Sequence, residues 1–576
     1  MMVPMGSFVS LSDPRRTWSL ASADTAAVAD VACGITERRQ LARMLVGRGV
    51  VTGADARVFL DADLDELWEE PDAIAGMPEA ADRVAAAVRS GERILVFGDF
   101  DVDGVTAAAL TALGLRALGG SGAVIVPNRF TDGYGLTDAS VDRIVAARPQ
   151  LVITVDCGIT GAPQVAALRA AGVDVVVTDH HEPGADVPEG VPLVDPKLGG
   201  TAARDLSGAG VALKLLAAVG RRLGAPACWR EFTDLAAIGT VADIVPLVAE
   251  NRALVATGLR RMRIAPRPGI QALAAVAQIS TPTLSADNIA FGLAPRLNAA
   301  GRMADPRTAL QLLMATDERT AATLAAELER NNRDRQMVER ELLEDALGQV
   351  GETLGRDDRL IMLAGRGWHD GVKGIVASRL ATKFGLPTLL FCLDGNEARG
   401  SGRSVADVDL FAAVSACADL LGRFGGHKAA VGVALAADRL PELRRRLAAT
   451  LASLPCEQFS VRRTLDADLA LSEVTAALAR ELRVLEPHGG GNRKPVFVTE
   501  KVRLRDTSCV GRDANHLRFT ATDGTASVRA IAFSCEDIED RLACDDPVGI
   551  VFEVEADDFR GRPRAQMVVR DFVRAV

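Results

Sequence analysis

The 576-residue sequence predicts an α/β protein: a parallel-sheet domain, a second α/β domain joined to it by a long helix, and a C-terminal OB-like β-barrel. Three observations predict it. Between about Pro78 and Leu259, short Val/Ile-rich runs alternate with helix-forming stretches, the pattern of βαβ units whose strands are buried on both faces. From Asp317 to about Val350 a polar stretch with Leu324, Leu328, Val338 and Leu342 as its apolar stripe reads as one helix. From Cys456 onward the pattern changes to period-two alternation broken by polar turns.

In chain order, residues 1–77 form an N-terminal segment, and the sequence assigns no role to the first forty of them. Residues 78–260 carry strand candidates at Ile94–Phe97, Ala123–Val126, Leu151–Val155, Val173–Thr178 and Leu193–Val194. Residues 261–355 form a helical connection whose centre, Asn331–Gln336, holds no large apolar residue and reads as a solvated inter-domain face. A helix presenting basic residues to a polyanion is the other reading of it. Residues 356–455 make the second α/β domain. In 456–576, Val496–Leu504, Leu517–Thr520, Val528–Phe533, Ile550–Val554 and Met567–Val569 are five short strands, enough for a small barrel of OB type.

Composition narrows the function classes. No apolar run reaches the roughly 18 residues of a membrane span, and the N-terminal sequence lacks the basic start and apolar core of a secretory leader. Nine cysteines without a C-x-x-C pair predict a reduced, cytoplasmic protein. With 66 Lys and Arg against 76 acids the net charge is −10, which argues against a broadly basic nucleic-acid coat but leaves room for a local channel. Aromatics are only 4% and Tyr134 is the sole tyrosine, so extensive base stacking is not expected.

Chemistry concentrates at the strand ends. After Ile94–Phe97 comes GDFDVDG, with Asp99, Asp101 and Asp103 read as alternating along the extended end of a strand. Converging carboxylates repel unless a cation neutralises them, and oxygen ligands suit magnesium or manganese. An EF-hand loop is excluded, because its twelfth position, counted from Asp99, is Leu110 instead of a glutamate. Further on, LVITVDCG ends in Asp156, VDVVVTDHH ends in Asp179, His180 and His181, and DLAAIGTVADIVPL offers Asp234 and Asp243. Each alone reads as a turn former, a helix cap or a structural histidine. Drawn from four segments, they form an acid/histidine cluster suited to two cations about 3.5–4 Å apart, which acidify a bridging water and clamp both oxygens of an in-line phosphoryl displacement.

GDFDVDG, PNRFTDGYG, VDCG and TDHH, in that order, resemble the signature motifs of the DHH phosphoesterase superfamily, and LVDPK, LSGAGVALKL and GTVADIVPL resemble its later ones. GLAPRLNAAGRM, GWHDGVKGIVASRL, ARGSGRS and FGGHKAAVG resemble, more narrowly, the RecJ family of single-strand-specific DNA exonucleases with its DHH-associated domain. The resemblance runs from about Leu41 to the C-terminus. It implies Asp101, Asp103, Asp156, His180 and Asp243 as ligands of two manganese (or magnesium) ions, with Asp99 and His181 completing the catalytic cluster. It also implies substrate contacts at Asn128, Arg129, Arg296, Arg302 and Arg379, a 5′-phosphate site at Ser401 and Arg403, and nucleotide contact at Gly425, Gly426 and His427. Arg399 lies inside the same motifs, and Arg493, Lys494, Lys501, Arg503 and Arg505 would give the barrel a charged groove for single strands.

The implied activity is 5′→3′ hydrolysis of single-stranded DNA to mononucleotides in repair and recombination, by a monomer working with a helicase and a single-strand-binding protein. The alternatives are a phosphodiesterase for short oligonucleotides or cyclic dinucleotides, and a catalytically silent DNA-binding scaffold. One departure stands out: the segment EPHGGGNRKPVF has His488 and Arg493 at the second and seventh places of the family pattern P-F-G-x-G-N-P-x-P-x-F. Lying outside the metal cluster in sequence, these two are expected to affect barrel contacts and not catalysis.

Overall fold

The computed structural model describes residues 7–13, 15–35, 38–133, 135–355, 357–511, 515–533, 547–557 and 564–575; Tyr134 lies outside the described residues. The chain divides into two compact units, one of Met1–Arg57, Gln336–Val484 and Lys494–Val576, the other of Val58–Arg335 and Leu485–Arg493. Strands β1 (Ser7–Ser10) and β2 (Arg16–Leu20) open the first unit.

The second unit is built on β3 (Ile94–Gly98), β4 (Ala123–Ile125), β5 (Leu151–Val155), β6 (Asp174–Thr178) and β7 (Leu193–Val194), all parallel, in the order β4-β3-β5-β6-β7. The apolar runs are continuous because both faces are covered: Ile94, Val96, Ile153 and Val176 belong to one core, Leu95, Phe97, Val152 and Val177 to another. After β3 the chain crosses first to one side, to β4, and then to the other, to β5. That reversal opens a crevice between the carboxyl ends of β3 and β5, the place where such sheets hold ligands.

The long polar stretch is one helix, Glu318–Thr353, of 36 residues and about 54 Å. The division between the units falls inside it, after Arg335. Its first half buries Ala321, Ala325 and Leu328 against the parallel-sheet core. At its centre, Asn331–Gln336, Arg333, Asp334 and Gln336 are exposed and Asn332 is buried; Glu339, in the next turn, is buried too.

In the other unit, β8 (Ile361–Arg366), β9 (Thr388–Asp394), β10 (Glu397–Arg403), β11 (Arg423–His427) and β12 (Ala430–Ala436) form a sheet in the order β11-β12-β10-β9-β8, parallel only between β8 and β9. Beyond it lie β13 (Val461–Leu465), β14 (Ala467–Asp468), β15 (Phe497–Val510), β16 (His516–Thr522), β17 (Ser527–Ala532), β18 (Val548–Asp557) and β19 (Arg564–Ala575). The pairings β15–β16, β16–β17, β17–β19, β19–β18 and β18–β15 close a five-stranded barrel. Within the barrel β15 pairs with β18 and β16, bending at register shifts near Lys501 and Asp506, both at positive φ. The strands β15, β18 and β19 are longer than the alternation suggests; the added end of β15, Arg505–Val510, is polar and largely exposed, whereas that of β19 includes the buried Phe572 and Val573.

The N-terminal hairpin joins this sheet. β1 pairs with β19 and β2 runs parallel to β13. Trp18 is buried and its Nε1 donates to Asp571 Oδ2 at 2.9 Å, while Ser10 Oγ donates to the other oxygen at 2.7 Å, so the buried carboxylate is satisfied by the hairpin.

Candidate metal centre

The seven acids and histidines come together at the carboxyl ends of β3, β5 and β6. Their ligand atoms fall into three groups, each within 4.8 Å: Asp99, Asp101 and Asp156; Asp156, His180 and His181; Asp103, His180 and Asp243. Asp156 and His180 are shared between groups, so the arrangement is one continuous cluster.

The convergence has a different origin from the one expected. Strand β3 ends at Gly98 and the helix Val102–Ala117 begins three residues after Asp99, so Asp103 stands in its first turn and Asp101 is its N-cap, accepting from Gly104 N at 3.1 Å. A strand-to-helix turn, not pleat alternation, brings the acids together. Gly104 makes the turn possible, since a Cβ there would lie 2.6 Å from the backbone of Asp99. Asp156 follows β5 at φ +60, a conformation that Asp tolerates better than most residues.

Two glycines of later motifs complete the cradle. Asp103 accepts from Gly208 N at 2.6 Å and Ala209 N at 3.0 Å, at the positive end of the helix Gly208–Arg222. A Cβ on Gly208 would lie 2.4 Å from Asp156 Oδ1, and one on Gly239 would lie 2.4 Å from Asp103 Oδ1. Asp179, at the end of β6, is the orienting group. Its carboxylate accepts from Ile159 N, His180 N and His181 N, and lies 2.7 Å from His181 Nδ1. A carboxylate only accepts, so His181 carries its proton on Nδ1 in this pair.

The electrostatics are those of a site built for cations. Burial first, then the Asp101 charge, pushes Asp99 up to about 8. Burial and the same neighbour push Asp243 to about 6. Burial, then the Asp243 and Asp101 charges, raises Asp103 well above the carboxylate range, and burial, then the Asp103, Asp101 and Asp99 charges, does the same to Asp156. Burial lowers His180 to about 4, leaving a neutral imidazole with a lone pair to offer. For His181 burial opposes the charge, but Asp179 outweighs it and raises the group to about 9. Asp156 Oδ1 and His180 Nε2 are 3.1 Å apart, but are not aligned as a hydrogen bond and make none with other groups. Two buried, unsatisfied donor atoms facing each other in a ring of carboxylates fit a divalent cation.

Other expected residues lie elsewhere. Asp234 is at the opposite end of the helix Thr233–Ala242, ion-paired with Arg267 at 2.8 Å. Beyond β4, Asn128 Oδ1 accepts from Phe130 N and the Arg129 guanidinium lies 4.3 Å above the Phe100 ring. Arg296 pairs with Glu329 at 2.7 Å, and Arg302 is half-buried in the last turn of the helix Ala294–Met303.

In the other unit, Arg379 pairs with Glu339 at 2.7 Å and Arg399 with Asp370 at 3.2 Å. Strand register gathers the rest: Ser401, Gly432 and Gly425 form one row across β10, β12 and β11, and Arg403, Ala430 and His427 the next but one. Ser401, Arg403 and His427 therefore share a sheet face. Arg403 donates to Ser401 Oγ at 3.1 Å, and a Cβ on Gly374, near the start of the helix Lys373–Phe384, would come within 3.0 Å of both side chains. Gly426 sits between those rows at φ +139.

The segment containing His488 and Arg493 corrects an expectation. Leu485–Arg493 belongs to the parallel-sheet unit and not to the barrel unit, and Gly490 O accepts from Leu247 N, four residues past Asp243. Nothing in the local residue pattern signals this, because the contact is long-range and backbone to backbone.

The chain is similar to known proteins along most of its length. Residues 93–240 match the DHH family, N-terminal domain, residues 357–453 the DHHA1 domain and residues 465–571 the RecJ OB domain. The single-stranded-DNA-specific exonuclease RecJ of Escherichia coli K12 is 33% identical over 556 residues, covering 92% of this chain and 95% of the relative. That of Bacillus subtilis 168 is 34% identical over 539 residues, 92% of this chain and 67% of the relative. The crystal structure of RecJ from Thermus thermophilus in complex with Mn2+ superposes with a TM-score of 0.84 at 32% identity, covering 98% of this chain and 80% of that one; its Mg2+ complex gives 0.80 at 30%. No helix among the described residues is long and apolar enough to cross a membrane. The chain belongs to the RecJ family of single-stranded-DNA-specific exonucleases.

Proposed function

We propose that the protein is a divalent-metal-dependent exonuclease that hydrolyses single-stranded DNA from its 5′ end to mononucleotides, in DNA repair and recombination. The observation that carries this is the continuous cluster of carboxylates and imidazoles at the carboxyl edge of the parallel sheet, with buried donor atoms that no protein group satisfies. Asp101, Asp103, Asp156, His180 and Asp243 hold two manganese or magnesium ions. Asp99 and His181 complete the cluster, and Asp179 fixes the His181 ring. Cations held by these residues would supply Lewis acidity to a phosphoryl oxygen and would acidify a water at the site.

The strand is held by Asn128, Arg129, Arg296, Arg302 and Arg379. Ser401 and Arg403, with Gly425, Gly426 and His427, receive the 5′ phosphate and terminal nucleotide; the sheet face that Ser401, Arg403 and His427 share, beside a helix N-terminus, suits an anion. By this reading residues 78–260 are the catalytic domain, 356–455 the substrate-binding domain and 456–576 the OB domain. The protein works as a cytoplasmic monomer on ends supplied by a helicase and a single-strand-binding protein. A time course on 5′-phosphorylated single strands with Mn2+, beside a duplex control, tests it. Mononucleotides released from the 5′ end of the single strand alone are expected; release from the 3′ end, or equal attack on duplex, refutes it.

A further inference from the structure

We infer that Leu485–Arg493 is a brace for the loop that carries Asp243, which makes Gly490, Asn492 and Arg252 positioning residues of the metal centre. The inference rests on Asp243 being a metal ligand, as proposed above. Asp243 ends the helix Thr233–Ala242, and the next residue, Ile244, takes φ +62. That conformation is strained for a β-branched side chain. The Ile244 side chain cannot hold it by packing, because the residue is 76% exposed.

The brace supplies what the loop lacks. Gly490 O accepts from Leu247 N at 2.6 Å. The three glycines lie along the loop so closely that side chains are excluded. A Cβ on Gly490 would lie 2.9 Å from Ile244 O and 3.1 Å from Val245 O; one on Gly489 would lie 2.6 Å from Leu247 Cδ1; and Gly491, at φ +69, faces Val248 and Pro246.

The brace is itself anchored. Arg252, 1% exposed, donates to Leu485 O, Glu486 O and Pro487 O at 2.9, 2.8 and 3.2 Å and to Phe59 O at 3.0 Å, its guanidinium 4.1 Å from the Phe59 ring centre. Asn492, fully buried, donates to Leu485 O at 2.8 Å and Pro487 O at 2.9 Å, and its backbone pairs with Gly489. Asn251, beside Arg252, donates to Pro246 O at 3.1 Å. One helix, Ala249–Ile264, thus grips the Asp243 loop with Asn251 and the brace with Arg252. Groups that orient ligands from behind typically tune metal affinity by about 10- to 100-fold.

The test is Mn2+ binding by the full-length chain, followed by loss of the free-ion EPR signal. Gly490→Ala and Arg252→Lys are expected to weaken Mn2+ binding about 10- to 100-fold, with DNA cleavage recovering at high Mn2+. Gly348→Ala, at a site with open space around it, serves as the control and leaves affinity unchanged. Unaltered Mn2+ affinity in both variants overturns the brace even if activity falls. Failure of the unsubstituted chain to bind Mn2+ overturns the metal-centre reading instead.

Discussion

The parallel sheet is open and covered on both faces, the barrel is closed, and the two recruit their strands differently. β3 to β7 come from one continuous stretch, each joined to the next by a crossover. The barrel is extended by β1 and β2, from the other end of the sequence, and by β13. Parallel neighbours require long crossovers, so their elements stay close in sequence. An open ladder edge accepts any strand that presents a complementary row of amides and carbonyls. The sheet thus gathers its acids through local turns plus a few remote clasps, whereas the barrel sheet is extended by a distant hairpin.

The largest effect is expected from Asp156→Ala, which removes the residue shared by two of the candidate ligand groups. Cleavage should vanish at saturating Mn2+ while circular dichroism stays native; normal turnover by the folded variant would remove Asp156 from the site. Asp179→Asn is the milder lesion. It keeps the shape but exchanges an acceptor of His181 for an amide, and Mn2+ affinity by titration calorimetry should fall about 10- to 100-fold.

Trp18→Ala probes the other region. Loss of a buried indole and its bond to Asp571 should cost about 3–5 kcal/mol in the unfolding of the barrel unit, with Mn2+ affinity unchanged. A parallel loss of Mn2+ binding would show that the two regions are not independent.

The smallest effect is a pH dependence. The raised groups Asp99 (about 8), Asp243 (about 6) and His181 (about 9) each stabilise the metal-free fold while protonated. That stability is complete below their unfolded values and fades as pH rises through the folded ones. The lowered His180 (about 4) is already neutral in both states above pH 7 and adds nothing there. Between pH 7 and 9 the metal-free protein should therefore lose melting temperature, and Mn2+ should restore more of it at pH 9 than at pH 7, where protons compete with the ion. A flat profile in differential scanning calorimetry would count against the clustered carboxylates.

Legibility followed the range of the interaction. The strands β3, β5 and β6 and the acids after them were readable, because a run buried on both faces and a strand-end carboxylate are local signals. Asp234 looked equivalent to Asp243 in sequence, yet the helix between them separates the two, and Arg267 takes Asp234. Asp179 was visible within its motif, but its task as a clasp for His181 shows only in the hydrogen bonds. Gly208 and Gly239 were readable as motif glycines, although what they leave room for is a carboxylate from another segment.

By itself the sequence determined the parallel sheet, the long helix, the barrel class and the set of acids and histidines, since hydrophobic period and residue chemistry act over a few neighbours. Only the tertiary structure decided that a strand-to-helix turn gathers Asp99, Asp101 and Asp103, that β1 and β2 complete the barrel sheet, and that Gly489–Gly491 lie on the Asp243 loop. Those contacts are made mostly by backbone groups, which every residue carries alike, between segments far apart in the chain; no side-chain pattern announces them.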